Sequence, residues 1–262
     1  MKNQQRRDTD SHMHRDKISL QLFIHDLKVP LAVIEAGITS LLGKLEKYGP
    51  LTEKQEKVLQ RTLRNTRVIQ ALVNDSLELE RSKRGVLNIS RTRVSGLIEE
   101  ALVEIFDLVD SQASENIKCC EDLHQLQGAL DENGLKLFID EALWCTELSL
   151  DEAKIRQILR NLLNNALKYR KTCVELRVEK QSHQLCFSVK DDGEGIPSSY
   201  HKRIFESYFQ MNATDTYTVR GHGLGLAGVM VLVEDMGGEL CLESDEGKGA
   251  EFRVKLPLPK AK

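Results

Sequence analysis

A regular stripe of apolar residues near the N-terminus constrains the fold of this chain more than any other feature. Its members follow one another at alternating spacings of four and three residues: Leu20, Ile24, Leu27, Leu31, Ile34, Ile38, Leu41 and Leu45. A seven-residue apolar repeat keeps one seam of a helix facing a partner, and it is typical of coiled coils and four-helix bundles. We therefore expect residues 20–45 to form a long helix that packs against other helices.

A second helix is predicted after a Gly-Pro break. The sequence YGPLTEKQ (48–55) would end the first helix and start the next, with Thr52 as N-cap and Gln55 three residues later. The second helix would reach about Arg81, with a weaker stripe formed by Val58, Thr62, Ile69, Leu72, Ser76 and Leu79. Because two helices cannot enclose a core, we expect two copies of the hairpin to form a four-helix bundle.

The pattern becomes mixed after SKRGVLNIS (82–90). Helices are predicted near 94–110, 152–169 and 224–236, and strands near 135–139, 147–150, 174–180, 185–190, 239–244 and 251–256. Residues 111–131 support no prediction. Helices and antiparallel strands segregated in this way indicate an α+β sandwich. The predicted organisation is a charged linker (1–17), a helical hairpin (18–84) and a sandwich domain (85–262).

Composition excludes several classes of protein. The net charge of −3 and the pI near 6.2 argue against a general binder of nucleic acid or anionic membranes. No apolar run approaches the roughly 18 residues needed to span a bilayer, and from the polar residues 1–17 we expect no signal peptide. The six cysteines include no CxxC pair, so neither a zinc site nor a disulfide framework is indicated. We expect a cytoplasmic location, as a complete protein or as part of a longer sensor.

A polar patch interrupts the first helix at FIHDLKVP (23–30). His25 and Asp26 are adjacent, and Pro30 removes one backbone hydrogen bond and favours a bend. Taken alone, this patch is as well explained by a surface histidine and a tolerated kink. An imidazole beside a carboxylate is also a candidate nucleophile with an orienting partner.

A second polar pattern lies in RNLLNNALKYR (160–170). Asn161, Asn165 and Lys168 stand at i, i+4 and i+7, so they share one helix face. Amide oxygens are acceptable ligands for Mg²⁺ and an ammonium neutralises phosphate, so this face suits a metal-bound polyphosphate. An amide-rich face exposed to solvent is the alternative.

Three glycine-containing strings follow. In VKDDGEGIP (189–197), Asp191 ends a strand just before two glycines, which suits recognition of a base amino group; a plain Asp-Gly turn is the alternative. In GHGLGLAGV (221–229), three glycines precede an apolar helical run, as in a phosphate cradle. The third string, SDEGKGAEF (244–252), is by itself most simply a hairpin turn.

In this order and at these intervals, the strings resemble the motifs of the sensor histidine kinases of two-component signalling. HDLKVP resembles their H box, NLLNNALKY the N box, DDGEGIP and GHGLGLA the glycine boxes, and RIFESYFQ (203–210) the phenylalanine box. SDEGKGAEF is similar to their closing glycine turn, with Ala250 where threonine is usual. The resemblance spans about residues 18–257.

The resemblance implies a helical dimerisation and phosphoacceptor domain followed by an ATP-binding domain of the Bergerat type. The implied activity is ATP- and Mg²⁺-dependent autophosphorylation of His25, with Asp26 orienting the imidazole, followed by transfer to an aspartate on the receiver domain of a response regulator. The implied partners are a second copy of the chain and that regulator.

The resemblance also assigns the nucleotide site. Asn165 would bind Mg²⁺, Asn161 and Lys168 would serve the phosphates, Tyr169 would pack against the nucleotide, and Asp191 would bind the adenine amino group. The remaining implied positions allow close approach of the nucleotide or closure of a lid over it: Gly193, Gly195, Ile196, Gly221, Gly223, Leu224 and Gly225. The lid itself would be residues 198–220, anchored by Phe205 and Phe209.

Two alternatives and one departure from the family remain. ATPases of the gyrase and mismatch-repair kind share the Bergerat fold, but they carry a glutamate general base where this chain has Asn161. A degenerate kinase that acts as a regulator-binding scaffold is the other alternative. The departure is Val29, four residues after His25. In many kinases of this family, a threonine or asparagine at that position holds the water that attacks the phosphorylated regulator. Valine cannot hydrogen-bond, so weak phosphatase activity is predicted.

Overall fold

The computed structural model describes residues 26–82, 87–206, 209 and 224–259, and the chain divides into two units, Met1–Arg81 and Ser82–Lys262. The first unit is helical. Residues 26–43 form the described part of α1, which continues through Pro30, and α2 (Leu45–Tyr48) and α3 (Glu53–Ser82) follow. The domain limits drawn from the sequence, at residues 17 and 84, stay a prediction.

The start of α3 confirms the predicted capping box. The backbone N–H of Gln55 donates to Thr52 Oγ1 at 3.3 Å, and the backbone N–H of Thr52 donates to Gln55 Oε1 at 2.9 Å. Two backbone donors without intrahelical partners are thereby satisfied. The local sequence alone determines where α3 begins.

The described contacts between α3 and α1 involve residues of α3 outside the predicted stripe. Val73 is buried against Leu31, and Gln70 Nε2 donates to Glu35 Oε2 at 3.0 Å. In contrast, Val58 and Ile69 of the predicted stripe are exposed. The side chains of Leu72, Ser76 and Leu79 lie outside those that the structure describes, so the stripe of α3 stays a prediction.

The second unit alternates strands and helices. Its elements are β1 (Ser90–Arg93), α4 (Val94–Val109), α5 (Ser111–Lys118), α6 (Leu123–Glu132), β2 (Leu135–Ile139), α7 (Glu141–Trp144), β3 (Glu147–Leu150), α8 (Glu152–Tyr169), β4 (Val174–Gln181), β5 (Gln184–Asp191), α9 (Gly225–Asp235), β6 (Glu239–Ser244) and β7 (Ala250–Pro257). Two short 3₁₀ turns, Ser198–Tyr200 and Arg203–Phe205, lie between β5 and α9. Among the described helices, none is long and apolar enough to cross a membrane.

The main sheet has five strands in the order β2-β4-β5-β7-β6, and β1 pairs with β3 in a separate antiparallel ribbon. The expectation of antiparallel strands holds for the main sheet except at β2 and β4, which are parallel with Leu135 opposite Val174. One face of the sheet is apolar and buried, as shown by Leu176, Phe187 and Val254, and the alternate residues are mostly polar. Helices α4, α8 and α9 contribute to the same core, which makes a two-layer α+β sandwich as predicted.

The segment 111–131, for which the sequence supported no prediction, contains α5 and most of α6. Asp110 and Asp122 cap these helices by accepting hydrogen bonds from backbone N–H groups. Each helix buries one i, i+4 apolar pair, and these pairs are Ala113 with Ile117 and Leu126 with Leu130. Such short stripes are hard to distinguish from chance in a mostly polar sequence.

Candidate nucleotide site

Helix α8 carries the predicted amide face. It begins at Asp151, whose side chain caps it, and it buries an apolar stripe that includes Ile158, Leu162 and Ala166. Asn161 and Asn165 lie on the half-buried side of the helix. The burial of the apolar stripe therefore sets the direction in which the two amides project.

Asn161 connects α8 to the start of α9. Its Nδ2 donates to the carbonyl oxygen of Gly225 at 3.3 Å, and a Cβ added to Gly225 would lie 3.9 Å from Asn161 Cγ. Leu224, just before α9, is buried. The structure thus places two predicted site positions, on α8 and on α9, in direct contact, and Asn161 has a role in holding the helices as well as its proposed role toward phosphate.

The end of α8 presents a cation beside an aromatic ring. Lys168 Nζ lies 4.7 Å from the centroid of the Tyr169 ring, and both side chains are exposed. A ring beneath an ammonium stabilises the positive charge through its quadrupole. Both groups are open to a ligand that approaches the C-terminal end of α8.

Asp191 is a buried carboxylate at the end of β5. It is 4% exposed, and its Oδ1 accepts a hydrogen bond from the backbone N–H of Gly193 at 2.9 Å. Burial raises the pKa of Asp191 above its ordinary value, partly offset by hydrogen bonds from the backbone N–H groups of Gly193 and Ala250. A buried acceptor at a strand end is well suited to a ligand amino group.

The glycines after Asp191 are required by the protein's own backbone. A Cβ on Gly193 would lie 2.4 Å from the carbonyl oxygen of Tyr169, and one on Gly195 would lie 2.0 Å from the carbonyl oxygen of Asp245. Gly195 also has φ +74°, which favours glycine. Close approach of a ligand was the expected reason for these glycines, whereas the contacts in this structure come from α8 and the β6–β7 turn.

The β6–β7 turn is part of the site rather than a simple hairpin. Gly249 lies against Asp191, since a Cβ on Gly249 would be 1.9 Å from the Asp191 carbonyl oxygen. The backbone N–H of Gly247 donates to the Glu194 carbonyl at 2.6 Å, and that of Ile196 donates to Ser244 Oγ at 2.8 Å. The turn therefore holds the loop that contains Asp191.

Sequence reasoning missed Asp192, which fixes the same loop from the other side. Its carboxylate accepts hydrogen bonds from the backbone N–H groups of Lys171, Thr172 and Cys173, and from the Thr172 hydroxyl. These donors, the Thr172 hydroxyl first, hold the pKa of Asp192 well below its usual range. An Asp-Asp pair in the sequence does not reveal which carboxylate turns inward.

The predicted anchors of the lid pack on the core. The rings of Phe205 and Phe252 meet edge to face at 6.3 Å between centroids, and Phe209 lies 5.7 Å from Tyr200 with Arg203 above it. His201 Nε2 and the Ile196 carbonyl oxygen are 2.9 Å apart, which links this region to the glycine loop. Of the predicted lid (198–220), the structure describes residues 198–206 and 209.

Three predicted site residues, His25, Gly221 and Gly223, lie outside the described residues. Asp26 is described and its side chain is exposed on α1. The structure therefore brings together α8, the Asp191–Ile196 loop, the β6–β7 turn and the first turn of α9.

Two protein-family profiles match the chain. One is the His Kinase A (phospho-acceptor) domain, over residues 24–85, and the other is the histidine kinase-, DNA gyrase B- and HSP90-like ATPase, over residues 150–260. Together they include both polar stretches that the sequence analysis singled out.

Curated relatives agree with these profiles. The circadian input-output histidine kinase CikA of Synechococcus elongatus is 31% identical over 235 residues, which cover 89% of this chain and 29% of the relative. The adaptive-response sensory kinase SasA of Crocosphaera subtropica is 28% identical over 246 residues, covering 91% and 58%. The chain thus spans less than two thirds of the length of these relatives.

Solved structures show the same fold. Full-length ShkA in complex with AMPPNP matches with a TM-score of 0.63 and 25% identity, over 93% of this chain and 46% of that one. The Acinetobacter baumannii histidine kinase AdeS matches with a TM-score of 0.55 and 19% identity, over 90% of this chain and 98% of its own.

Proposed function

Because the chain belongs to the histidine kinases of two-component signalling, we propose that it binds ATP with Mg²⁺ and autophosphorylates on His25. The observation that carries the proposal is the buried Asp191 carboxylate, held beside the C-terminal end of α8. In this arrangement, Asp191 offers an acceptor for the adenine amino group, and α8 offers amides for the phosphates. The ShkA structure, solved with the ATP analogue AMPPNP, has the same fold, which supports adenine nucleotide as the ligand.

The proposed roles follow from chemistry. Asp191 accepts a hydrogen bond from the adenine amino group, while Asn161 and Lys168 serve the phosphates. Tyr169 lies on the exposed surface at the end of α8, where it can pack against the nucleotide. Ile196 and Leu224, both buried, support the two loops that border the site.

The residues fit a magnesium ion that arrives with the nucleotide. Over the described ranges, no group of three or more His, Cys, Asp or Glu residues could hold a metal ion. Mg²⁺ is commonly bound through substrate phosphates and one or two protein oxygens, and Asn165 supplies such an oxygen. When bound, the ion would neutralise charge on the transferred phosphoryl group.

Transfer to His25 requires positioning more than covalent work by the protein. A neutral imidazole nitrogen attacks the γ-phosphorus in line, and ADP leaves. Asp26 accepts a hydrogen bond from the other ring nitrogen and takes up its proton. Pro30 has no backbone N–H to donate within the helix, which favours a bend in this part of α1.

The test is incubation of the full chain with radiolabelled ATP and Mg²⁺. We expect an acid-labile, alkali-stable label on wild type, none on His25→Gln, and a loss of orders of magnitude on Asn165→Ala. Normal labelling of His25→Gln would move the nucleophile elsewhere. An unlabelled wild type that still binds ATP would favour the scaffold alternative, and steady release of phosphate without label would favour a Bergerat-fold ATPase.

We further propose transfer from His25 to a receiver-domain aspartate, with little activity in hydrolysing the aspartyl phosphate so formed. Val29 is 61% exposed, so it is accessible to a docked regulator, yet it offers no hydrogen bond to a water molecule. Losing such a bond costs about 1–3 kcal/mol, or roughly 5–150-fold in rate. Val29→Thr should speed dephosphorylation of the regulator and leave autophosphorylation unchanged. Brisk dephosphorylation by wild type, unaltered in Val29→Thr, would refute this assignment.

A further inference from the structure

Residues 87–89 form the entry segment of the second unit, and the buried carboxylate of Asp151 ties this segment to the start of α8. The backbone N–H of Asn88 donates to Asp151 Oδ2 at 2.9 Å, while Asp151 Oδ1 accepts from the backbone N–H of Lys154 at 3.2 Å. Asp151 is 2% exposed. Each oxygen thus has a separate task, since one caps α8 and the other holds the entering chain.

This hydrogen bond is an important restraint on the entry segment. The side chains of Leu87 and Ile89 are both exposed, so burial contributes little to holding residues 87–89. The next restraint is β1, where Ser90 pairs with Leu150 of β3. A hydrogen bond to a buried carboxylate is among the stronger ones in proteins. It therefore fixes the chain two residues before the first strand pair.

The restrained point is rigidly connected to the proposed phosphate site. Asp151 caps the same helix that carries Asn161 and Asn165, at about 15 and 21 Å along its axis. Residues 83–87 separate Asn88 from the end of α3, and a chain of that length reaches at most about 20 Å. In the described part of the chain, the next backbone pairing is that of Ser90 with Leu150, so loss of the Asp151 bond would lengthen the reach by roughly 7 Å.

From this geometry we propose that Asp151 is a positioning residue for autophosphorylation, an inference that rests on the proposed function. Asp151 touches neither the nucleotide nor the histidine. By holding Asn88, Asp151 shortens the unrestrained connection between α3, in the unit that contains His25, and the unit that would bind the nucleotide. Transfer requires the reacting atoms to come within about 3–3.5 Å in line, so a longer connection populates that geometry less often.

Two variants remove the restraint by different routes. Asp151→Asn keeps one oxygen as the cap of α8, and asparagine is a good N-cap, but its NH₂ group cannot accept from Asn88. Asn88→Pro removes the donor N–H and leaves Asp151 intact. Each should lower the autophosphorylation rate at saturating ATP three- to tenfold and leave the Kd for ATP within twofold of wild type. The double variant should be no slower than the single ones, because both remove the same bond.

Asp122→Asn is the matched control. Asp122 caps α6 by accepting from the backbone N–H of Gln125 at 2.8 Å, far along the chain from the entry segment. This variant should autophosphorylate at the wild-type rate. Hydrogen exchange at the Asn88 backbone N–H gives a readout that needs no activity, and the exchange should accelerate in Asp151→Asn.

The outcomes separate this inference from the proposed function. If wild type incorporates no label, the proposed function fails, while exchange at Asn88 still tests the bond. If wild type is labelled, exchange accelerates and both variants keep the wild-type rate, the positioning role is refuted. A loss of ATP affinity that equals the loss of rate would also refute it, since the defect would then lie in the nucleotide site.

Discussion

Asp191 and Asp192 show how adjacent carboxylates acquire opposite properties. Burial raises the pKa of Asp191, whereas four donors from the segment after α8 lower the pKa of Asp192. The first is therefore an acceptor held at an energetic cost, and the second is an anchor for the loop. Sites that bind ligands often contain such costly groups, because the ligand supplies the missing partner.

Asp191→Asn should weaken nucleotide binding and raise the thermal stability of the nucleotide-free unit. The raised pKa means that the folded state binds a proton more tightly than the unfolded state, so ionised Asp191 destabilises the nucleotide-free unit at pH 7. The variant should unfold at a higher temperature than wild type at pH 7, and this gain should shrink as the pH falls through the raised pKa and disappear below the ordinary value of 3.8. Nucleotide binding should weaken about 10–100-fold, since the amide presents a donor to the adenine amino group.

Calorimetric binding and thermal unfolding check both halves of this prediction. Asp140→Asn is a suitable control, because Asp140 caps α7 by accepting from the backbone N–H of Ala142 and lies outside the site. Unchanged ATP affinity in Asp191→Asn would remove Asp191 from the site.

Asp192→Ala should show the opposite dependence on pH. A lowered pKa stabilises the fold above the ordinary value of 3.8, and that contribution disappears as the pH falls through the folded-state pKa. The variant should melt at a lower temperature than wild type at pH 7, with the gap closing progressively below pH 3.8. A gap that stays constant from pH 7 to the acid limit would contradict the role of the ionised carboxylate.

At the scale of elements, the β6–β7 turn and the loop after β5 depend on each other. Gly247 and Gly249 both have positive φ, +80° and +76°, but only Gly249 lies against Asp191, while a Cβ on Gly247 would meet nothing within 4 Å. Alanine substitutions at the two positions therefore distinguish the effect of backbone strain, which both share, from the effect of steric contact with Asp191, which only Gly249 has.

Gly249→Ala should abolish nucleotide binding, whereas Gly247→Ala should only destabilise the unit. In both variants, an alanine with positive φ lowers the free energy of unfolding by about 1–2 kcal/mol. Gly249→Ala must in addition displace Asp191, because its Cβ would overlap the Asp191 carbonyl oxygen. Titration with ATP and denaturant unfolding measure the two effects. Equal ATP affinities for the two variants would show that the turn does not hold Asp191.

For the whole molecule, exposed apolar residues on the hairpin are consistent with the predicted dimer. Ile34 of the heptad stripe is 44% exposed in the single chain, and Val58 and Ile69 of α3 are 63% and 44% exposed. Large apolar side chains exposed along a helical hairpin are covered when a second hairpin completes a four-helix bundle.

Ile34→Lys should convert a dimer into a monomer in sedimentation equilibrium, and ATP binding should be unaffected. Val33→Lys is the matched control, since Val33 is more exposed, at 66%, but lies outside the heptad stripe. It should leave the dimer intact. A wild-type chain that sediments as a monomer, or equal effects of the two substitutions, would rule out the stripe as the dimer interface.

The sequence alone was sufficient wherever the information is local. The capping box of Thr52, the bounds of α8 and the strands near 135–139 and 239–244 follow from periodicity and turn chemistry, which act over a few residues. Weakly patterned elements could not be recovered in the same way. The polar strand β1 forms because β3 supplies its hydrogen bonds, and the short α7 has too few residues to show a period.

The sequence by itself determined the family, the order of the motifs and the residue types that the chemistry needs. These depend only on which residues occur and on the intervals between them along the chain. Only the tertiary structure decided that Asp191 is buried while Asp192 faces the segment after α8. It also decided that Gly249 belongs to the site and that Asp151 holds Asn88, 63 residues away in sequence. These assignments depend on contacts between segments that are far apart in the chain, and no local pattern specifies which segments will meet.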